Sequence, residues 1–363
     1  MAITTESIPQ LQTPPIAGVR PGVQAPSTAG FDLRMMLASL WLIAGESADA
    51  AAHQRHAVDS FFTPWHALFY SGVMVCAFVI FWQVWRNQAK GYTLWKAVPR
   101  GYHVAAIGVV FLGVGGVFDL YWHSVYGIEF NLAALFSPSH FLLIAAVGMV
   151  LSSTISSIWW RRQTPFTSWR TDWRDYLPLI FGLMMLSLYT ATITSGFQPI
   201  SSNAGSLQAI TDAGGNSDIS VLIGMPSIII QVFLMMSILL MALRRFRLLP
   251  GTIFLLVAIP NVLVALIADN LNFVPTALIA ALLVELLVQR LQPDPLRPLT
   301  YRLTAFLIPL IYYVVYFATL LIQNQMGWGM EFWAGAIVIS GGVGVIISYL
   351  IVPAPSLIVV QAE

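Results

Sequence analysis

Residues 49–66 read DAAAHQRHAVDSFFTPWH, and residues 119–140 read DLYWHSVYGIEFNLAALFSPSH. Each stretch opens on an Asp, places a His four residues later, and closes on a second His just behind a hydroxyl residue and a Pro. The first set is Asp49, His53, Thr63-Pro64 and His66; the second is Asp119, His123, Ser137-Pro138 and His140. Residues i and i+4 share a helix face, so each Asp points the same way as its first His. A capping hydroxyl followed by Pro is a helix start, which puts each second His in the first turn of a returning helix. Each stretch therefore reads as the tip of a helical hairpin that gathers a carboxylate and two imidazoles. The two tips use four of the six histidines in the chain.

Working outward, the flanking sequence is that of a membrane protein. Hydrophobic residues make up 58% and charged residues 9%, against a usual charged share of roughly 25%. Many apolar runs approach ~20 residues, the length that crosses a bilayer, and the alternating ten-residue segments of a barrel are missing. The expected fold class is all-α: a polytopic membrane protein of about ten transmembrane helices, with the first four a duplicated helical hairpin. The spans fall near 33–52, 64–84, 102–122, 138–160, 176–195, 219–243, 250–268, 272–290, 303–322 and 332–352, with edges good to a few residues.

Sixteen of the seventeen Lys and Arg residues lie in segments on one side of this arrangement, and only Arg55 lies on the other. The positive-inside bias then puts both termini in the cytoplasm and both Asp/His tips at the outer face. The expected divisions are a disordered cytoplasmic tail at 1–32, a four-helix metal-binding domain at 33–160, a six-helix domain at 176–352, and a tail at 353–363. The Gly/Ser/Asn-rich segment 196–218 reads as either a lid or a connector. A net charge of +1 with no basic patch gives no sign of nucleic-acid binding, and the lone Cys76 excludes a disulfide within the chain.

A carboxylate with two neutral imidazoles suits copper, zinc or iron, and three protein ligands leave a coordination position open. The plainer alternative is a hydrogen-bonded polar cluster facing lipid headgroups. The repetition of the whole constellation argues for metal, because ionisable groups in membranes are costly and usually functional. Glu46, three residues before Asp49 on the same face, is a candidate to stand behind the ligands and orient one imidazole. His56 and Asp59 read as loop residues, and His103 beside Tyr102 as an interfacial anchor. Glu285 reads as either a proton-relay group or a carboxylate bonded to a neighbouring helix.

At these residues the sequence resembles the C subunit of the copper membrane monooxygenases, the particulate methane and ammonia monooxygenase family. The resemblance covers about residues 33–160. Asp49, His53 and His66 match the spacing of that subunit's Asp/His/His motif, and the local text HQRHAVDSFFTPWH is similar along its length. His123 and His140 match a second ligand set, with Asp119 where the family has Asn and a longer spacing between the two histidines. The resemblance implies copper at Asp49/His53/His66 and at Asp119/His123/His140, with dioxygen used to oxidise a small apolar molecule. It also implies further membrane subunits or a copper-domain subunit, an oligomer, and a place in the bacterial inner membrane with the metal sites on its outer side.

Two non-enzymatic alternatives stand beside this: a protein that handles copper without oxygen chemistry, and a structural subunit of a membrane complex. A bis-histidine haem would need ligands on facing helices near the membrane interior, whereas these sit at span ends beside carboxylates.

Overall fold

The computed structural model describes residues 23–55, 63–127 and 137–353. Among the described residues ten helices of sixteen residues or more follow one another: α1 (Ala29–Gln54), α2 (Pro64–Gln88), α3 (His103–Tyr126), α4 (Pro138–Arg161, with one turn residue at Ser152), α5 (Trp169–Ile193), α6 (Ser217–Arg245), α7 (Thr252–Ile267), α8 (Val274–Leu291), α9 (Pro298–Ile322) and α10 (Met330–Ile351). They coincide with the ten expected segments. Eight are long and apolar enough to cross a membrane. Of the other two, α1 is long but carries Asp32, Arg34, Glu46 and Asp49, and α7 has only 16 residues.

The helix starts obey the sequence signals. Thr28 caps α1 by accepting from the Phe31 amide, and Thr63 and Ser137 precede Pro64 and Pro138 at the first turns of α2 and α4; Ser137 caps by accepting from the His140 amide, whereas the Thr63 hydroxyl makes no cap bond. At its far end α3 stops at Gly127, whose φ of +80° an L side chain rarely adopts.

Helices α1 and α2 form one tight antiparallel hairpin, and α3 and α4 form another; α2 and α3 meet along only a short seam. The remaining six close into a ring in which α5 packs on α7, α7 on α8, α8 on α9, α9 on α10, α10 on α6, and α6 back on α5. Helix α5 also packs against α1, so a single buried core runs from Phe31 to Ile351 through both blocks. Four helices of the ring carry an internal Pro: Pro178 in α5, Pro226 in α6, Pro260 in α7 and Pro309 in α9. Such breaks are tolerated where neighbouring helices satisfy the freed backbone groups.

Two expectations change. Residues 23–28, assigned from the sequence to the disordered tail, run against the segment between α2 and α3. The Ala25 amide donates to the Lys96 carbonyl, the Arg100 amide donates to the Ala25 carbonyl, and Ala25 is buried. Residues 1–22 of that tail, and 354–363 of the other, lie outside the described residues.

The segment 196–218 is neither a loose connector nor a free lid. It forms the short helices Pro199–Ser202 and Leu207–Asp212 and is pinned to the ring. The Tyr316 hydroxyl donates to the carbonyls of Pro199 and Ala204, the Asn270 amide donates to Ile200 and Ser201, and the Trp328 ring crowds Gly205. Its Gly/Ser/Asn content supplies tight turns here, including Asn203 and Gly205 at positive φ.

At the end of the bundle that holds the starts of α1 and α3, a network joins the two blocks. Asp32 of α1, fully buried, accepts from the Tyr102 hydroxyl at 2.7 Å and the Ser157 hydroxyl at 2.8 Å, and pairs with Arg161. Arg161 also pairs with Asp175 of α5 at 2.8 Å. This fixes the polarity of the bundle: the ends of α1 and α3 and the starts of α2 and α4 all lie at the opposite end.

Candidate metal centres

That opposite end is where the two Asp/His/His sets close. In the first, His66 Nε2 lies 3.1 Å and His53 Nε2 3.5 Å from Asp49 Oδ1. In the second, His123 Nε2 lies 3.4 Å and His140 Nε2 3.6 Å from Asp119 Oδ1. All three ligand atoms of each set lie within 4.8 Å of one another. Two donors each ~2.0–2.2 Å from a shared ion stand roughly 3–3.6 Å apart at right-angle to tetrahedral openings, so the observed separations match ligands around one ion. The imidazole rings are tilted, not stacked, at 50° in the first pair and 59° in the second.

The proton positions sharpen the point. His123 Nδ1 faces the Gly127 carbonyl at 3.1 Å, which can only accept, so Nδ1 carries the proton. His140 Nδ1 faces the Ser137 hydroxyl at 2.6 Å, and the same hydroxyl accepts from the His140 amide. A metal-binding His is held in this way, its other ring nitrogen fixed by a carbonyl or hydroxyl behind it. In the neutral ring, His123 Nε2 then turns a lone pair toward Asp119. Asp119 Oδ1 is buried and accepts no hydrogen bond despite two imidazoles close by, and the same is true of Asp49 Oδ1. An orphaned buried carboxylate oxygen is costly, and a cation between oxygen and nitrogens removes the cost. The residues fit a metal ion at both places.

What closes each tip is a glycine one turn before the Asp. A Cβ on Gly45 would stand 2.5 Å from the Phe69 Cα, and one on Gly115 would stand 2.8 Å from Leu143 Cδ2. Gly45 is four residues before Asp49 and Gly115 four before Asp119; Phe69 is three after His66 and Leu143 three after His140. The two hairpins thus share a close helix crossing one turn beneath the ligands.

The centres differ in access. Asp119 is 7% exposed, whereas Asp49 is 27% and His53 43% exposed. Glu46 turns toward α5, where its Oε1 accepts from the Thr192 hydroxyl at 2.7 Å and its Oε2 accepts no hydrogen bond. Its contact ties α1 to the ring beneath the first centre. His56 and Asp59 lie outside the described residues. His103 is held by Gln24 and by the Trp95 carbonyl and ring, far from either centre.

One further residue, not singled out in the sequence, belongs to this end: Tyr70, one turn after His66. Its ring lies 6.5 Å from the His66 ring and beside the other hairpin, where a Cβ on Gly116 would stand 3.3 Å from Tyr70 Cε1. The spacing from His66 carried the signal, since i and i+4 share a face.

Glu285, the polar residue of α8, has a structural role. Its Oε1 accepts from the Gly251 amide at 2.8 Å and its Oε2 from the Phe254 amide at 2.9 Å. A carboxylate there offsets the positive N-terminal end of α7. Glu285→Ala is expected to orphan both amides at ~1–3 kcal/mol each and to lower the thermal unfolding midpoint in detergent. Glu285→Gln keeps one acceptor and loses less. Equal midpoints for Glu285→Ala and the unmodified protein would remove this role.

No protein-family model, curated protein or solved structure matches the chain.

Proposed function

We propose that the chain is an integral membrane metalloprotein of ten spans with cytoplasmic termini, holding copper at two Asp/His/His centres on the outer face. In this reading it serves as a subunit of a monooxygenase-like oxidoreductase acting on a small apolar substrate. One observation carries the metal reading: in each centre a buried carboxylate oxygen that accepts no hydrogen bond faces two imidazole nitrogens at 3.1–3.6 Å. The shared spacing of Gly, Asp and the first His, and of Pro and the second His, supports a duplicated hairpin. The basic residues crowd the end that holds the Asp32 network, which supports the orientation.

Copper would supply one-electron and oxygen chemistry when bound, and imidazole-rich sites with an open position suit it. The chain's own residues do the rest. Asp49 and Asp119 balance the charge, the Gly127 carbonyl sets the His123 tautomer, Ser137 holds the His140 ring in place, and the apolar helix bodies beneath keep water from the ligand cage on that side.

Metal analysis of detergent-purified protein tests this. His53→Ala/His66→Ala is expected to lose about one equivalent of copper, His123→Ala/His140→Ala another, and the quadruple variant all of it. Copper content indifferent to these substitutions would overturn the assignment. The exposure of His53 (43%) favours a second reading, a site that exchanges copper with a partner without oxygen chemistry. Oxygen consumption by the copper-loaded, reduced protein, absent in the quadruple variant, separates the enzyme from the carrier.

A further inference from the structure

We infer that the fold carries a phosphate-binding hollow at the end opposite the Asp/His/His sets, placed to hold the headgroup of an anionic lipid. It forms where the link from α4 to α5 passes the end of α6, and it does not depend on the metal reading.

A cavity of about 160 Å³ opens there, lined by residues 163–166 and 245–247. Two arginines, Arg245 and Arg247, stand in its lining, and no carboxylate does. Phe166 and Phe246, both buried, pack ring to ring at 6.2 Å and give it rigid apolar walls.

Arg245 is fixed before any ligand arrives. Its Nη2 donates to the Trp159 carbonyl at 2.7 Å and the Arg162 carbonyl at 2.6 Å. Its guanidinium also lies over the Trp159 and Phe246 rings, at 5.4 and 5.3 Å. Carbonyls and rings orient the group without neutralising it. Among the described residues its Nε and Nη1 find no acceptor, and neither is buried.

The acids near by are already taken. Asp172 accepts from Arg162 and from the Thr167 and Ser168 amides, and Asp175 accepts from Arg161 and Arg162. Arg162 in turn holds the carbonyls of Thr164 and Pro165, which sets the shape of the link. Arg247 is exposed and makes no hydrogen bond or ion pair among the described residues. The main-chain amides of Thr164 and Phe166 also donate to no described group.

The hollow therefore offers a preset guanidinium with spare N–H groups, a second positive charge and free amides. Guanidinium forks match the oxygens of phosphate and bind them more strongly than they bind neutral acceptors. A water needs ~10–15 Å³ of such space, so a phosphate group fits with waters around it. The position names the source. The hollow lies at the ends of three long apolar helices, with Trp160 and Trp173 exposed near by, and such rings sit at headgroup level. Basic pockets between span ends take anionic headgroups. A zwitterionic headgroup brings its own cation and gains less.

The test is native mass spectrometry of delipidated full chain in a neutral detergent, titrated with phosphatidylglycerol, phosphatidylcholine or inorganic phosphate. One phosphatidylglycerol is expected to bind more tightly than phosphatidylcholine, and less tightly as salt is raised. Arg247→Gln removes a side chain with no protein partner, so folding is spared, and it should weaken that lipid roughly fivefold. Arg245→Gln should weaken it further, with the unfolding midpoint recorded because two carbonyls lose their donor. Arg290→Gln, an exposed arginine at the same end but outside the lining, should leave the affinity unchanged.

Equal binding of the two lipids, or an equal response to Arg247→Gln and Arg290→Gln, overturns the site. Inorganic phosphate that binds, is lost in Arg247→Gln, and finds no lipid competitor overturns the lipid as the source. Copper content should be the same in all of these variants, so failure here leaves the metal reading standing.

Discussion

If the two Asp/His/His sets hold metal as proposed, Gly45→Ala is expected to abolish binding at the first and spare the second, although it adds one methyl group a full turn away from any of the three side chains. The added Cβ would stand 2.5 Å from the Phe69 Cα and 2.6 Å from the Phe69 nitrogen. Both obstacles are backbone, so no side-chain rotation relieves them and α1 and α2 must part. The same crossing is tight from the other helix, where a Cβ on Gly72 would stand 2.7 Å from the Leu42 Cα. Metal sites need ligand distances held within about 0.2 Å, and a hairpin wedged open one turn below Asp49 and His66 cannot hold them.

The matching change in the other hairpin is expected to be mild. At Gly115 the obstacles are Leu143 Cδ2 at 2.8 Å and Cγ at 3.2 Å, atoms of a side chain that can change rotamer. Overpacking of that kind costs roughly 1–3 kcal/mol and lowers thermal stability without emptying the second centre. Metal counts on the two variants, each in a background where the opposite set is disabled by His→Ala, read the contrast directly. A filled first centre in Gly45→Ala would mean that the close crossing is not what holds the tip shut.

These glycines also mark the limit of what the sequence discloses. The hairpin tips were legible because their signals are local: hydroxyl-Pro starts a helix, and an Asp four residues from a His shares its face. The ten helices were legible because each apolar run must satisfy its own backbone. Gly45 and Gly116 were not, since each matters only through what the neighbouring helix presents to it, the Phe69 backbone and the Tyr70 ring respectively.

Glu285 stood between two readings because its partners, Gly251 and Phe254, lie more than a helix away in sequence. The segment 196–218 misled for a related reason. Its composition is that of loose chain, but Tyr316, Asn270 and Trp328, all far along the sequence, supply the contacts that hold it.

Asp32 is the strongest case of a residue with no local signal and a large expected effect. It looks like a helix-start acid, one of several charges at the basic end. In the fold it is fully buried, accepts from Tyr102 and Ser157, and pairs with an Arg161 that also holds Asp175 of α5. Asp32→Ala takes the acceptor from the Tyr102 hydroxyl, leaves Ser157 only its bond with Ser27, and strips Arg161 of its more buried partner. Removing one member of a buried pair typically costs ~3–5 kcal/mol, so a large drop in the thermal unfolding midpoint and in folded yield is expected.

Asp32→Asn keeps an oxygen for Tyr102 and Ser157 and should fall between. Asp32→Leu/Arg161→Leu should recover part of the loss, because the uncompensated guanidinium goes with the carboxylate while Asp175 keeps Arg162 at 3.3 Å. The two Asp/His/His sets lie at the opposite end, so folded Asp32→Ala protein should bind as much metal as the unmodified protein. Loss of metal in protein that melts normally would place Asp32 in the function of the centres. Loss of stability with metal retained places it in the joint between the hairpins and the ring.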